Sequence, residues 1–255
     1  MIIAVLQARF SSSRLPGKIL KALLDRPMIS RQMERIKRAR RIDELVLATS
    51  VSPSDDPVAD LCAKEGIACF RGSLDDVLDR FYQAVKDRKP DHVVRLTGDC
   101  PLADPAVIDS VVDFASGGNF DYASNAFPPT FPDGLDVEVI RFSALEEAWK
   151  KAALGSEREH VTPYFRTHPG FKVGNLTNGV DLSAMRWTVD DPADYEFVKA
   201  VYQRLYARNP AFSMNDVLTL LKSDPAIAAI NAGGVRNAGY QASLAKDAKR
   251  AGGGE

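Results

Sequence analysis

The chain has 255 residues, with 33 Lys and Arg against 34 Asp and Glu and a formal net charge of −1. That length suits one large α/β domain or two small ones, and the even balance excludes a broad basic face for nucleic acid. Its three cysteines, Cys62, Cys69 and Cys100, form no CxxC pair, which argues against a disulfide framework or a zinc site and suits a reducing cytoplasm.

The N-terminal MIIAVLQ reads as a buried strand over 2–7. It lacks the basic leader and the apolar length of a signal peptide, and no run approaches a membrane span. The strand runs into a polar loop, VLQARFSSSRLPGK over 5–18. Arg9, Arg14 and Lys18 supply charge, Ser11, Ser12 and Ser13 are small and leave backbone N–H groups accessible, and Pro16-Gly17 fixes a turn. No carboxylate in the loop answers these cations, a composition suited to a phosphate chain.

A helix is expected over 28–41, where Met28, Ile29, Met33 and Ile36 recur at near-helical spacing. Its RQMERIKRARR stretch reads as a solvated cationic face. A strand follows over 45–49, then a Ser/Pro/Asp loop. Pro57 opens the next helix behind Asp56 as cap, and Gly66 ends it. IACF is a short strand. RGSLDDVLDRF places Ser73 and Asp76 as a capping box, with Leu74, Val77, Leu78, Phe81 and Val85 on one helical face. DHVVRLTGDCPL is a strand and then a loop, and Asp104-Pro105 starts another helix.

Four β-then-α units predict a parallel sheet with helices on both faces. Ligands then sit beyond the carboxyl ends of the strands. The loops at 8–18 and 97–104 both leave such ends, so they should share one edge.

The second half is less regular. Prolines at 128, 129 and 132 precede a strand-like LDVEVI. Residues 142–167 look helical with a break near Gly155. Strand signals recur around KVGNL and MRWTV, and Asp191-Pro192 starts a helix through Tyr206. Shorter helices are expected over 213–222 and 224–230. The reading is one domain over 1–230 with an insertion-like segment at about 125–185. Residues 231–255 form a Gly/Ala-rich tail, expected to be partly disordered.

Two carboxylates lack a local duty. Asp104 and Asp191 each precede a helix-opening proline and serve as caps, whereas Asp99 and Asp190 are left over at strand ends. Either alone reads equally as a turn residue. As a pair, they are what a phosphate-bound Mg²⁺ needs, since that ion takes one or two protein carboxylates plus phosphate oxygens and water.

QARFSSSRLPGK, RGSLDDVLDRF, VVRLTGDCPLADP, FPDGLDVEVI, SEREHVTPYFR and RWTVDDPADYEFV follow one another in a familiar order and spacing. On these motifs, which cover most of residues 1–200, the chain resembles the cytidylyltransferase superfamily of CMP-KDO and CMP-acylneuraminate synthetases. Within it the chain is most similar to the branch named after spore coat polysaccharide biosynthesis protein F. The resemblance implies a Rossmann-like nucleotidyltransferase fold, an α/β/α three-layer architecture with a mostly parallel mixed central sheet, often dimeric. It implies transfer of CMP from CTP to a sugar acid such as KDO, neuraminate or pseudaminate in cell-surface polysaccharide biosynthesis, with release of pyrophosphate.

Carried over by motif, the resemblance puts nucleotide binding on Ala8, Arg9, Ser12, Arg14 and Lys18, with Arg71 near the nucleotide and Thr97 beside the first metal aspartate. It puts Mg²⁺ on Asp99 and Asp190. Arg14 and Lys18 would hold the leaving pyrophosphate. The acceptor side is read from the residues alone: Asp133, Asp136 and Glu138 either grip sugar hydroxyls or form the polar face of a strand, Arg158 near a helix N-terminus is placed to meet a sugar carboxylate or phosphate, and His160 beside it is either an acceptor contact or a packed residue. Departures include Cys100, where KDO synthetases carry an acidic residue. Two other enzymatic readings are a nucleotidyltransferase acting on a sugar 1-phosphate, whose glycine-rich loop QARFSSSR does not match, and a glycosyltransferase, whose DxD is missing. A non-enzymatic nucleotide binder would not need Arg9, Arg14, Lys18, Asp99 and Asp190 together.

Overall fold

The computed structural model describes residues 1–12, 14–233, 236 and 238–252. Its central element is β1 (Ile2–Gln7). Side chains of a strand alternate between faces. Ala4 and Leu6 therefore enter one apolar core while Ile3 and Val5 enter a second. A short hairpin, β2 (Ala22–Leu23) with β3 (Arg26–Pro27), leads from β1 to α1 (Met28–Ile36). Three more β-then-α units follow: β4 (Glu44–Ser50) with α2 (Asp56–Glu65), β5 (Ala68–Gly72) with α3 (Val77–Val85), and β6 (His92–Thr97) with α4 (Pro105–Gly117). β1 pairs in parallel with β4 and β6, and β4 with β5.

The second half widens the sheet. β7 (Tyr122–Ser124) and β8 (Glu138–Arg141) are antiparallel to each other, β8 is antiparallel to β6, and β9 (Val173–Asn175) is parallel to β7. The spatial order is β5-β4-β1-β6-β8-β7-β9. The sheet is thus mostly parallel and mixed, with helices on both sides. Its second-half helices are α5 (Phe142–Lys151), α6 (Gly155–His160), α7 (Pro163–Thr167), α8 (Pro192–Leu205), α9 (Met214–Ser223) and α10 (Pro225–Ala229). α1, α2, α4, α8 and α9 close one core, and α3, α5 and α7 close the other. No described helix is long and apolar enough to cross a membrane.

Several local expectations need correction. MRWTV over 185–189 forms no regular strand. Its backbone bonds go to loops instead: Trp187 N–H to the Asp133 carbonyl at 2.6 Å and Val189 N–H to the Asp99 carbonyl at 2.8 Å. The cationic stretch after Met28 is only partly a solvated face: Lys37, Arg40 and Arg41 are exposed, but two of its arginines are not. Arg31 and Arg35 are 3% and 2% exposed. Arg35 donates to the carbonyls of Ala103 and Phe212 at 2.8 Å each, so its burial is compensated. α3 begins at Val77, because Ser73 accepts from the Asp76 N–H and Asp76 in turn from the Asp79 N–H. Leu74 therefore stays outside the helix and is 36% exposed.

In the C-terminal segment, α11 (Ala238–Gly252) packs against α6. Ser13 and the last three residues of the tail, 253–255, lie outside the described residues.

Candidate active site

β1 and β6 are the neighbours at which the strand order reverses, the place where an open α/β sheet offers a crevice. Gln7 and Thr97 are in register at their carboxyl ends. The two loops therefore leave the sheet side by side. Gly98 permits this approach: its N–H donates to the Gln7 carbonyl at 2.7 Å, and a Cβ there would stand 2.8 Å from that of Ala8.

The cationic loop is braced at both ends. Asp55 accepts from the Phe10 N–H at 2.7 Å and the Ser50 N–H at 3.0 Å, tying the loop to the end of β4. At the other end the Gly17 N–H bonds the Phe10 carbonyl at 3.1 Å, and Gly17 takes a left-handed φ of 67° that disfavours a side chain. The turn buries the next residue, Lys18, to 9% exposure.

Lys18 Nζ donates to Asp190 Oδ1 at 2.9 Å and to the Val189 carbonyl at 2.7 Å, and Asp99 Oδ2 stands at 3.5 Å. Burial disfavours the ammonium, but the two carboxylates outweigh it and hold its pKa above the ordinary lysine value. Burial likewise opposes ionisation of Asp99. Lys18 and a 2.6 Å hydrogen bond from Thr97 Oγ1 overcome that and keep its carboxyl below the usual range. Arg14 reaches Asp190 and Asp191, at 3.1 Å each.

Asp190 is held from behind by Arg186. That guanidinium bonds Asp190 Oδ2 at 3.0 Å, both oxygens of Asp194 at 2.9 Å, and Asp133 at 3.1 Å. Asp194 also accepts the N–H groups of Asp190 and Asp191 at 3.0 Å, reaching back from the first turn of α8 to its N-cap residue, Asp191. Asn231 closes the cluster by donating to the Arg186 carbonyl at 2.9 Å and to Asp194 at 3.0 Å. Burial disfavours the Asp194 anion, and Arg186 and its other donors more than reverse this.

Two clefts meet at this wall. Ala8, Arg9, Ser12, Arg14, Lys18, Thr97, Asp99 and Asp190 all line one, of about 510 Å³. The second, of about 280 Å³, shares Arg14, Thr97, Asp99, His160 and Asp190 and adds Asp133, Asp136 and Glu138. Every nucleotide-side residue expected from the sequence except Arg71 is thus in the first, and every acceptor-side residue except Arg158 is in the second. Arg71 instead bonds the carbonyls of Ser50 and Ser52 at 3.0 and 3.1 Å and pairs with Asp56 at 2.6 Å. Arg158 is committed to Asp76, with Nε at 3.0 Å, and to the Trp149 carbonyl at 2.8 Å. It lines a separate recess next to Arg9.

The acceptor-side carboxylates differ in state. Glu138 pairs with Arg95 and accepts from the Tyr122 hydroxyl at 2.7 Å, which offsets its burial and lowers its pKa. Asp136, paired with Arg236, is pushed up to about 7, by burial first and then by Asp133 and Glu138. His160 is also depressed by burial; its Nε2 lies 3.0 Å from Ser243 Oγ and its ring meets Tyr240 edge-on.

No group of three or more His, Cys, Asp and Glu side chains suited to a metal occurs among the described residues. Asp99 and Asp190 nonetheless converge on one cation, the Lys18 ammonium. Two carboxylates that share a cation beside a loop of cations and backbone N–H groups fit a divalent ion such as Mg²⁺, which takes one or two protein carboxylates and completes its shell with other oxygens.

Sequence reasoning missed Arg186, Asp194, Arg95, Arg166, Arg236 and Tyr240. Arg186 carried a signal, a lone arginine inside the apolar MRWTV. The others acquire their positions only through long-range packing.

A family model described as cytidylyltransferase matches residues 3–213. The chain is 36% identical to spore coat polysaccharide biosynthesis protein SpsF of Bacillus subtilis, over 88% of this chain and 95% of that protein. A solved cytidylyltransferase from Leptospira borgpetersenii serovar Hardjo-bovis superposes with a TM-score of 0.83 at 34% identity, covering 89% of this chain and 96% of that one. A CMP:2-keto-3-deoxy-manno-octonic acid synthetase complexed with CTP shares the fold, with a TM-score of 0.63 at 18% identity, over 80% of this chain and 98% of that one.

Proposed function

This chain belongs to the cytidylyltransferase family, and on that premise we propose that it transfers CMP from CTP to a sugar acid for surface polysaccharide synthesis. The observation that carries this is the shared wall: Asp99 and Asp190 stand between a cleft lined by Arg9, Arg14 and Lys18 and a cleft lined by Asp133, Asp136 and Glu138. The SpsF relative is named for polysaccharide biosynthesis, and the fold is shared with a synthetase complexed with CTP.

In the proposed reaction a sugar hydroxyl attacks the α-phosphorus of CTP. The new P–O bond forms as the bond to the β-phosphate breaks, the hydroxyl proton passes to solvent water, and pyrophosphate leaves in line. Charge gathers on phosphate oxygens, so positioning and electrostatics supply most of the rate. Arg9 and the loop N–H groups would cradle the phosphates, and Arg14 and Lys18 would hold the departing pyrophosphate, Arg14 as a fork and Lys18 as a point charge. Asp99 and Asp190 would hold Mg²⁺, which when bound offsets phosphate charge and lowers the pKa of a coordinated hydroxyl. Arg186 would fix Asp190 so that its second oxygen faces the cleft. Asp133, Asp136 and Glu138 would accept hydrogen bonds from sugar hydroxyls.

The test is pyrophosphate release across four nucleoside triphosphates and a panel of sugar acids. CTP with at least one acid should give release. No release with any pair contradicts the proposal.

A further inference from the structure

The acceptor-side cleft contains several cations, and most are matched. Arg14 pairs with Asp190 and Asp191, and Arg95 with Glu138. Arg186 and Arg236 occupy Asp133 and Asp136 from behind. Arg158, the residue expected to meet an acidic group, is held by Asp76. Arg166 is different. It lies on α7 and lines the cleft, yet among the described residues its side chain makes no hydrogen bond and no ion pair. Its Nε is buried without a partner.

What holds Arg166 is aromatic. Its Cζ stands 3.6 Å from the centre of the Phe127 ring and 5.7 Å from that of Tyr240. A ring stacked on a guanidinium holds its plane without using any of its N–H donors. A fixed, unpaired fork is suited to a planar two-oxygen anion. The cleft is small, about 280 Å³, and its wall carries Asp99 and Asp190. An acceptor gripped at one end by Arg166 would present its other end towards the reaction centre.

We propose that Arg166, braced by Phe127 and Tyr240, binds the carboxylate of the sugar acid and selects acidic acceptors over neutral ones. This rests on the cytidylyltransfer reading above. The sequence motif SEREHVTPYFR carries both arginines, and the structure assigns the anion to the second of them.

The test compares wild type, Arg166→Gln and Arg166→Lys with KDO and N-acetylneuraminate, and with the analogue of each in which the carboxylate is reduced to an alcohol. Losing a charged hydrogen-bonding partner should raise the KM for the acid by about 30-fold or more, with a smaller change in kcat. Arg166→Lys should recover part of the loss, because it restores charge without the fork. The alcohols should bind wild type and Arg166→Gln alike. Retained CTP binding reports that each variant is folded. An unchanged KM for the acid, or an equal loss for the alcohols, overturns the proposal.

Calorimetric titration of the same acids separates the two readings. If no pair releases pyrophosphate but an acid binds wild type and not Arg166→Gln, the reaction assignment fails and the Arg166 assignment stands. Equal binding to both proteins, or binding to neither, overturns the Arg166 assignment.

Discussion

Lys18 Nζ lies 2.9 Å from Asp190 Oδ1, joining residues 172 positions apart in the chain. The same ammonium stands 3.5 Å from Asp99. A lysine here acts as a resident cation for two carboxylates that would otherwise repel each other. When nucleotide arrives, phosphate oxygens can take over Lys18 and the carboxylates can turn to a divalent ion. Nucleotide and metal should therefore bind with positive coupling.

This relationship predicts the behaviour of Lys18→Met. Without nucleotide, the variant should bind Mn²⁺ about tenfold more tightly than wild type, because a competing unit charge a few ångströms away is gone. Turnover with CTP should fall by about 100-fold, through loss of a phosphate-directed charge. Paramagnetic titration of Mn²⁺ reads the first and pyrophosphate release the second. Unchanged Mn²⁺ affinity would show that lysine and metal do not share the carboxylates.

Asp194 should matter for stability as much as for chemistry. It is 2% exposed and bonds Arg186, Asn231 and two backbone N–H groups. Asp194→Ala leaves Arg186 with Asp190 and Asp133 but removes its two bonds to Asp194 and the acceptor for Asn231 and two backbone N–H groups, and should cost about 1–3 kcal/mol in urea unfolding at neutral pH. The folded-state pKa of Asp194 lies below its ordinary value. Its stabilisation is therefore complete above the ordinary aspartate range and is lost as pH falls through the depressed pKa. The stability gap between wild type and variant should narrow on acidification below about pH 4. A gap independent of pH would contradict that role.

Much of this site could be read from the sequence because its key elements are short and local. The loop at 8–18 follows a strand that is apolar throughout, and Asp99 follows a Gly at the end of another. Strand register alone brings them together. Asp190 differs: its apolar lead-in predicts a strand, but the segment before it is no regular strand. The backbone of that segment is fixed by the Asp99 and Asp133 carbonyls, which accept from the Val189 and Trp187 N–H groups, and the side chains of Thr188 and Arg186 reach the same two residues across spans of 89 and 53 positions, distances that local periodicity does not encode. Arg158 and Arg166 sit in one motif, and no pattern tells which is consumed by a distant Asp76. The burial of Arg31 and Arg35 was hidden likewise, because their compensating partners include Tyr206 and the Phe212 carbonyl far down the chain.

Gly98→Ala tests the close approach of the two loops. The added methyl would meet Ala8 Cβ at 2.8 Å and the Gln7 carbonyl oxygen at 3.0 Å. Forced separation should cost about 1–3 kcal/mol of stability and weaken CTP binding in parallel. Wild-type CTP affinity in this variant would mean the loops need not be in contact.

Arg158→Ala makes the opposite prediction. Arg158 and Asp76 are partly exposed partners, at 22% and 35% side-chain exposure. Their loss should cost only about 1 kcal/mol of stability, and the acceptor KM should stay within about twofold of wild type. A large rise in acceptor KM would return the carboxylate contact to Arg158.

The most direct test of the central claim, that Asp99 acts at the reacting phosphate, is a paired measurement on Asp99→Asn. Its kcat for pyrophosphate release and its Kd for CTP are compared with wild type. Removing a carboxylate whose work falls mainly in the transition state should lower kcat by at least about 100-fold while CTP affinity changes only a few-fold. Equal losses in kcat and in CTP binding, or a kcat close to wild type, would contradict it.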